Sequence, residues 1–215
     1  LGVNIHMTPL QLQDCLDTLG IAFLFAQALH PAMKYAMPAR IAIGTRTMFN
    51  ILGPLSNPAG ATHQLVGVFD KHWTKILAQV LCNLGIAHAL VVHGNDGLDE
   101  ISLTDKTFVA ETSHCRIKTW EISPQDFGFK KATLEDLRGG SVADNVRMLL
   151  DVLTGKKGAS RDIVVLNSAA ALYAADKVHS IKEGIALAQE CIDTKKAFEK
   201  LILLKEFSSR SPQPR

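Results

Sequence analysis

Residues 93–100, His93-Gly94-Asn95-Asp96-Gly97-Leu98-Asp99-Glu100, gather three carboxylates in a turn that carries two glycines. Ala89-Leu90-Val91-Val92 precedes them, a short apolar run with the character of a buried strand. Glycines at 94 and 97 let the backbone turn sharply where the acids collect. Carboxylates in a loop at the end of a strand are one way to hold Mg²⁺ against the phosphates of a substrate. The same eight residues also suit a solvated acidic connector.

A second segment bears on that choice. His30-Pro31-Ala32-Met33-Lys34-Tyr35-Ala36-Met37-Pro38-Ala39-Arg40 leads into Gly44-Thr45-Arg46-Thr47-Met48-Phe49-Asn50-Ile51-Leu52-Gly53-Pro54-Leu55-Ser56-Asn57-Pro58. Together with the acidic turn, these residues resemble the anthranilate phosphoribosyltransferases, which join anthranilate to phosphoribosyl pyrophosphate in tryptophan synthesis. Gly2-Val3-Asn4-Ile5, Gly20-Ile21-Ala22-Phe23-Leu24-Phe25-Ala26 and Asn167-Ser168-Ala169-Ala170-Ala171-Leu172-Tyr173 match in the same order. The resemblance runs from residue 2 to about residue 197, nearly the whole chain.

The resemblance implies an enzyme with Mg²⁺ as cofactor and a role for particular residues. Arg40 holds the family position that grips the carboxylate of anthranilate. Such a grip suits a guanidinium, which presents two parallel N–H donors. Asp99 and Glu100 match the metal-binding acidic pair, while Asp96 aligns with no ligand and is expected to shape the turn. Gly53 and Pro54 are expected to line the slot for the aromatic substrate. His30 begins the helix beside that slot, and serves equally well as a helix-start residue. No catalytic acid or base is expected. His93 is given no role.

In the same family a GTGGD loop and a KHGNR motif bind phosphoribosyl pyrophosphate, and neither occurs in these 215 residues. The expectation is a C-terminal portion of the enzyme, inactive alone, whose full-length form is a homodimer. Two other readings stay open. Pyrimidine nucleoside phosphorylases share the fold but lack the paired motifs. Non-enzymatic relatives bind nucleic acid through a basic helical surface, whereas this chain keeps its acidic motif and has a net charge of +2. Phosphate-backbone binding needs clustered Lys and Arg, so no nucleic-acid partner is expected.

Composition fits a cytoplasmic globular protein, with 47% hydrophobic and 20% charged residues and no apolar run long enough to span a membrane. Cys15, Cys82, Cys115 and Cys191 show no CxxC spacing, and Cys15, Cys82 and Cys191, among apolar neighbours in helix-like stretches, are expected to be reduced packing residues.

The elements that must position the acids follow from periodicity. Thr8-Pro9 starts a helix that Gly20 stops, with Leu12, Cys15, Leu16 and Leu19 inward. Residues 21–25 read as a strand, and residues 31–52 as broken helix interrupted at Pro38 and Gly44. Strands at 64–69 and 89–93 flank a helix carrying Ile76, Leu77, Val80, Leu81 and Leu84 on one stripe, a β-α-β unit. Extended runs at 107–111 and 117–122 add to the sheet. From Ser141 the chain is helical, with Val142, Val146, Leu149, Leu150 and Leu153 inward. The fold class is α/β, a mostly parallel sheet flanked by helices, and the resemblance implies in addition part of a small helical lobe. Residues 1–27 and 59–207 are assigned to the α/β domain, 28–58 to the lobe and 208–215 to a flexible tail.

Overall fold

Strands β1 (His63–Gly67) and β2 (His88–Gly94) pair in parallel, with His63 opposite His88 and Gly67 opposite Val92. Helix α5 (His72–Asn83) makes the crossover that a parallel pairing requires. The computed structural model of the chain describes residues 1–29, 33–45 and 49–210. Strand β2 is buried along its length except at His93, as a strand covered on both faces should be.

Strands β3 (Thr107–Ser113) and β4 (Arg116–Ile122) complete a sheet of order β1-β2-β3-β4. Both added pairings are antiparallel. The sheet is therefore mixed, which corrects the expected mostly parallel arrangement. Only β1 and β2 are separated by a helix long enough to return the chain to the same end. The connection after β2 has no helix, and β3 and β4 are joined by a tight hairpin turn at His114-Cys115. Both turn residues have positive φ, 49° and 59°, as a two-residue hairpin turn demands.

Contacts divide the chain into two units, Leu1–Pro58 with Lys196–Arg215, and Ala59–Lys195. The second unit holds the sheet. Leu90, Val92 and Val109 meet Leu166, Ala169, Ala170 and Ala174 of helix α7 (Ala159–Ala174) in its main core. By alternation Ala89, Val91 and Ala110 face the other side, toward α5, and all are fully buried. The inward stripe of α5 is Thr74, Leu77, Ala78, Leu81 and Cys82. That stripe is rotated from the expected one, leaving Ile76 and Leu84 exposed. Helix α6 (Val142–Leu153) starts after Ser141 as expected, capped by a box between Ser141 and Asp144, but Val142 and Leu149 are exposed and only Val152 is buried. Helix α8 (Ile181–Asp193) packs against α7 through Gly184, where a Cβ would stand 2.7 Å from the carbonyl oxygen of Ala169.

In the first unit, helix α1 (Pro9–Leu19) has the expected Thr8 cap and Gly20 stop. Met7, Leu12 and Cys15 pack with Leu204 of helix α9 (Lys196–Arg210), and the Lys200 ammonium donates to the Leu19 carbonyl at 2.6 Å. These contacts group residues 1–27 and 196–207 with 28–58, whereas the sequence assigned them to the α/β domain. Leu16 is exposed. Residues 21–25 form no strand, and Ile21 and Phe23 are exposed. They have β-forming composition but no strand to pair with among the described residues. Short helices α2 (Ala26–Leu29) and α4 (Phe49–Leu52) flank α3 (Met33–Ile43), which runs through Pro38 rather than breaking there. Of the expected tail, residues 208–210 extend α9 and 211–215 lie outside the described residues.

Cys82 on α5 and Cys115 in the hairpin turn form a disulfide, with Cα atoms 4.9 Å apart. This corrects the expectation that Cys82 is a reduced packing residue. The β3–β4 turn folds back over the end of α5 and brings together residues 33 apart in sequence. Cys15 and Cys191 are free. Among the described residues no helix is long and apolar enough to cross a membrane.

Candidate functional site

Residues 95–106 leave the carboxyl end of β2 and return as β3, and the acidic turn is the first half of this loop. The Gly94 N–H donates to the Leu98 carbonyl at 2.8 Å and the Asn95 N–H to the Lys106 carbonyl at 2.8 Å, so the loop is tied at its neck. Asp96 organises the interior. Its carboxylate accepts from the Leu98 N–H at 3.1 Å and from the hydroxyls of Ser102 and Thr104. Burial disfavours ionisation of Asp96, but those three donors outweigh it and hold its pKa below the usual carboxylate range. Asp96 therefore shapes the turn, as expected, and its oxygens are already committed.

Asp99 and Glu100 are exposed, while the next three residues, Ile101, Ser102 and Leu103, are each 1% exposed. The loop thus presents two adjacent carboxylates from a buried base. Glu100 is exposed by area yet crowded by the loop around it. That partial desolvation raises its pKa, and the negative charge of Asp99 adds to the rise. Two further contacts fix the base. A Cβ on Gly67, the last residue of β1, would stand 1.6 Å from the Asp99 carbonyl oxygen, so strand and loop touch backbone to backbone. The Asn167 side chain on α7 accepts from the Ile101 N–H at 2.9 Å and donates to the Ile101 carbonyl at 2.9 Å. Neither Gly67 nor Asn167 stood out as a site residue. For Asn167 the available signal was a lone amide within an apolar helix.

The remaining expected site residues lie in the first unit. The backbone of Arg40 is in α3. His30 lies outside the described residues. Gly53 is exposed, with φ −53°, and precedes the single 3₁₀ turn Pro54–Ser56. Among the described residues, a Cβ added to Gly53 would meet nothing within 4 Å. Neither its conformation nor the described residues around it call for glycine there.

His93 at the end of β2 contacts the Val68 carbonyl through Nδ1 at 2.8 Å, a bond that ties the strand to the segment after β1. A second histidine is buried in a network of its own. His88 Nε2 lies 2.8 Å from Glu111 and its Nδ1 lies 2.7 Å from Asp176, while the Tyr173 hydroxyl donates to Glu111 at 2.8 Å. Burial first, and then Glu111, pushes the Tyr173 pKa up to about 12. This network sits at the amino end of β2, about 20 Å of extended strand from the acidic loop. It joins α7 to the sheet and does not belong to the site.

Two hollows also lie in this unit. One of about 450 Å³ opens beside the start of α7. Its basic side chains are paired, Arg147 with Asp144 at 2.9 Å, Lys156 with Asp151 at 2.7 Å and Arg161 with Asp193 at 2.8 Å. Such pairing cancels most of the field that would attract an anion. The other, about 480 Å³, is lined by Glu111, Ser113, His114, Arg116, Lys118 and Tyr173.

The sequence pattern of the family described as "Glycosyl transferase family, a/b domain" matches residues 1–198. The chain belongs to this glycosyl transferase family. Within it, the chain is similar to "Anthranilate phosphoribosyltransferase" of Acetivibrio thermocellus, 47% identical over 209 residues. That match covers 97% of this glycosyl transferase chain and 61% of the relative. The chain therefore spans about three fifths of the curated relatives' length. The crystal structure of anthranilate phosphoribosyltransferase from Thermus thermophilus superposes with a TM-score of 0.90 at 39% identity, covering 97% of this chain and 62% of that one. The Saccharomyces cerevisiae enzyme "in complex with PRPP and Mg" gives a TM-score of 0.75 at 28% identity, covering 84% of this chain and 52% of that one.

Proposed function

We propose that this glycosyl transferase chain is part of an anthranilate phosphoribosyltransferase, in which the anthranilate amine attacks C1 of the ribose and pyrophosphate leaves. The observation that carries the proposal is the Asp99-Glu100 pair, exposed on a built loop at the carboxyl end of β2. In α/β sheets that end is where ligands bind. The relatives' names supply the substrates, and the yeast complex pairs phosphoribosyl pyrophosphate with magnesium.

The donor set fits Mg²⁺. Asp99 and Glu100 are hard oxygen donors with repelling charges, and Asp96 is engaged elsewhere. No cluster of three or more His, Cys, Asp or Glu suited to a metal occurs among the described residues. A full protein cage is thus not on offer, and Mg²⁺ does not need one. It keeps several waters and is held by one or two carboxylates together with phosphate oxygens. When bound there, it would neutralise charge on the departing pyrophosphate.

The chain's own residues have simpler tasks. An aromatic amine is neutral at pH 7 and needs no base to become a nucleophile. Once the C–N bond forms, the nitrogen sheds its surplus proton to solvent, so the proposed reaction asks for no catalytic dyad. Arg40 would hold the anthranilate carboxylate and so orient the amine. Gly53 and Pro54 would line the aromatic slot. The open space at Gly53 supports this, since the described residues make no demand for glycine at that position. His30 would flank the slot. The breakdown should pass through a ribosyl cation-like transition state, as glycoside cleavage does. On the same resemblance the working enzyme is a cytoplasmic homodimer, and these 215 residues alone do not turn over.

The test uses a polypeptide of the relatives' full length that carries this sequence as its matching portion. Arg40→Ala should raise the KM for anthranilate far more than that for phosphoribosyl pyrophosphate, by about 1.5–3 kcal/mol of lost charge-assisted binding. Arg40→Lys should recover only part of it, because an ammonium lacks the planar fork. An unchanged response to anthranilate would remove Arg40 from the site. Absence of phosphoribosylation by the parent polypeptide would overturn the proposal as a whole.

A further inference from the structure

We propose that Asn167 is the positioning residue for Asp99 and Glu100, clamping the acidic loop to α7 through both backbone groups of Ile101. The inference rests on the metal-binding role proposed for that pair.

The geometry is a two-point grip. Asn167 Oδ1 accepts from the Ile101 N–H at 2.9 Å, and Nδ2 donates to the Ile101 carbonyl at 2.9 Å and to the Ile163 carbonyl at 3.0 Å. The side-chain amide thus pairs with one residue as a neighbouring strand would. It does so across 66 residues of sequence, from a helix whose neighbouring positions Val165, Leu166, Ala169 and Ala170 are fully buried.

Ile101 is where such a grip acts on the acids. Its N–H shares a peptide plane with the Glu100 carbonyl, so fixing that N–H fixes the backbone through Glu100. Ile101 itself is 1% exposed and part of the main core, which prevents the loop from sliding along α7. On the other side, Asp96 pins Leu98, Ser102 and Thr104. Asp99 and Glu100 therefore stand in solvent between two anchors that do not use their carboxylates. Packing alone could dock Ile101 on α7 with an alanine or leucine at position 167. An asparagine in a helix interior lowers helix propensity, and its amide must be fully bonded when enclosed. Fixing the direction of two repelling carboxylates accounts for that choice, as outer-sphere partners do at metal sites.

The test reads metal binding rather than turnover. With pyrophosphate present to supply the phosphate oxygens, Mn²⁺ is titrated against a polypeptide of the relatives' full length that carries this sequence, by electron paramagnetic resonance, for wild type, Asn167→Ala, Tyr173→Phe and the double variant Asp99→Asn/Glu100→Gln. Removal of an outer-sphere partner typically weakens metal affinity by about 10–100-fold, and that loss is expected for Asn167→Ala. Tyr173→Phe lies on the same helix and also loses a hydrogen bond, at the far end of the sheet, and should leave Mn²⁺ affinity unchanged. Should Asn167→Ala fail to fold by circular dichroism, Asn167→Asp decides the matter. It keeps the acceptor for the Ile101 N–H but turns a donor into an oxygen facing two carbonyls, and weakened Mn²⁺ binding is again expected.

Affinity within about twofold of wild type in the folded Asn167 variant, with binding abolished in the double acid variant, overturns the role of Asn167 and leaves the metal loop standing, because it falls short of the loss an outer-sphere partner causes. Equal loss in Asn167→Ala and Tyr173→Phe means affinity follows stability, and also overturns it. Mn²⁺ binding that is absent in wild type, or indifferent to the double acid variant, takes down the metal loop and the Asn167 role with it.

Discussion

A Cβ on Gly67 would stand 1.6 Å from the carbonyl oxygen of Asp99 and 3.3 Å from its Cα. Strand β1 ends against the backbone of the residue expected to bind metal, and no flexible side chain lies between them. Gly67→Ala must therefore push the acidic loop outward. Overpacking of this kind costs about 1–3 kcal/mol. We expect a lower melting temperature together with weaker Mn²⁺ binding. A variant as stable as wild type would mean that loop and strand separate at little cost.

The three acids of the turn should separate by experiment. Asp99→Asn with Glu100→Gln keeps size and shape, and should raise the Mg²⁺ requirement while leaving circular dichroism unchanged. Asp96→Asn should do the reverse, lowering stability through the bonds to Ser102, Thr104 and Leu98. Its pH signature follows from the depressed pKa of Asp96. That contribution is present above the ordinary aspartate value of about 3.9 and is lost as pH falls through the lower folded value. Wild type should therefore lose stability below about pH 4 more steeply than Asp96→Asn. Parallel acid limbs would show that Asp96 titrates alike in the folded and unfolded states.

The parts of this site that follow local rules were legible in the sequence, and those that depend on distant neighbours were not. The β1-α5-β2 unit announces itself because a crossover helix needs a stripe of apolar residues and a buried strand needs an apolar run. Asp99 and Glu100 could be placed at the carboxyl end of β2 for that reason. The direction of β3 and β4 could not, because alternating residues suit either orientation and the His114-Cys115 turn lacks the usual Asn or Gly. Residues 21–25 look like a strand, but strand formation needs a partner that local sequence cannot supply. The grip of Asn167 on Ile101 joins residues 66 apart, and only the folded chain brings them together.

The disulfide between Cys82 and Cys115 should be a measurable part of stability. Closing a loop across 33 residues of sequence stabilises a fold by about 3–4 kcal/mol in the chain-entropy picture. At about 2–4 °C per kcal/mol for a chain of this size, reduction should lower the melting temperature by roughly 5–15 °C. Cys115→Ser should melt where the reduced wild type does, and should no longer respond to reductant. Alkylation in denaturant before reduction should label Cys15 and Cys191 alone, and a wild-type melt indifferent to reductant would show that the pair does not cross-link.

Tyr173 gives the alkaline counterpart. Burial and its bond to Glu111 hold the phenol protonated up to about pH 12, against an ordinary value of about 10. The folded state thus keeps a proton that the unfolded chain gives up. The contribution is fully present below about pH 10 and is lost as pH rises toward the folded value. Tyr173→Phe removes both the titration and a hydrogen bond worth about 0.5–1.5 kcal/mol. At about pH 8 the variant should be the less stable protein, because there the folded-state contribution is intact. Between about pH 10 and about pH 12 the gap should close, because only wild type loses stability through this group. Denaturant melts at about pH 8, 10 and 11.5 measure the gap directly across that window. A gap that stays constant across that range would mean that Tyr173 titrates alike in both states, and that the His88-Glu111-Tyr173 network is open to water rather than enclosed between α7 and the sheet.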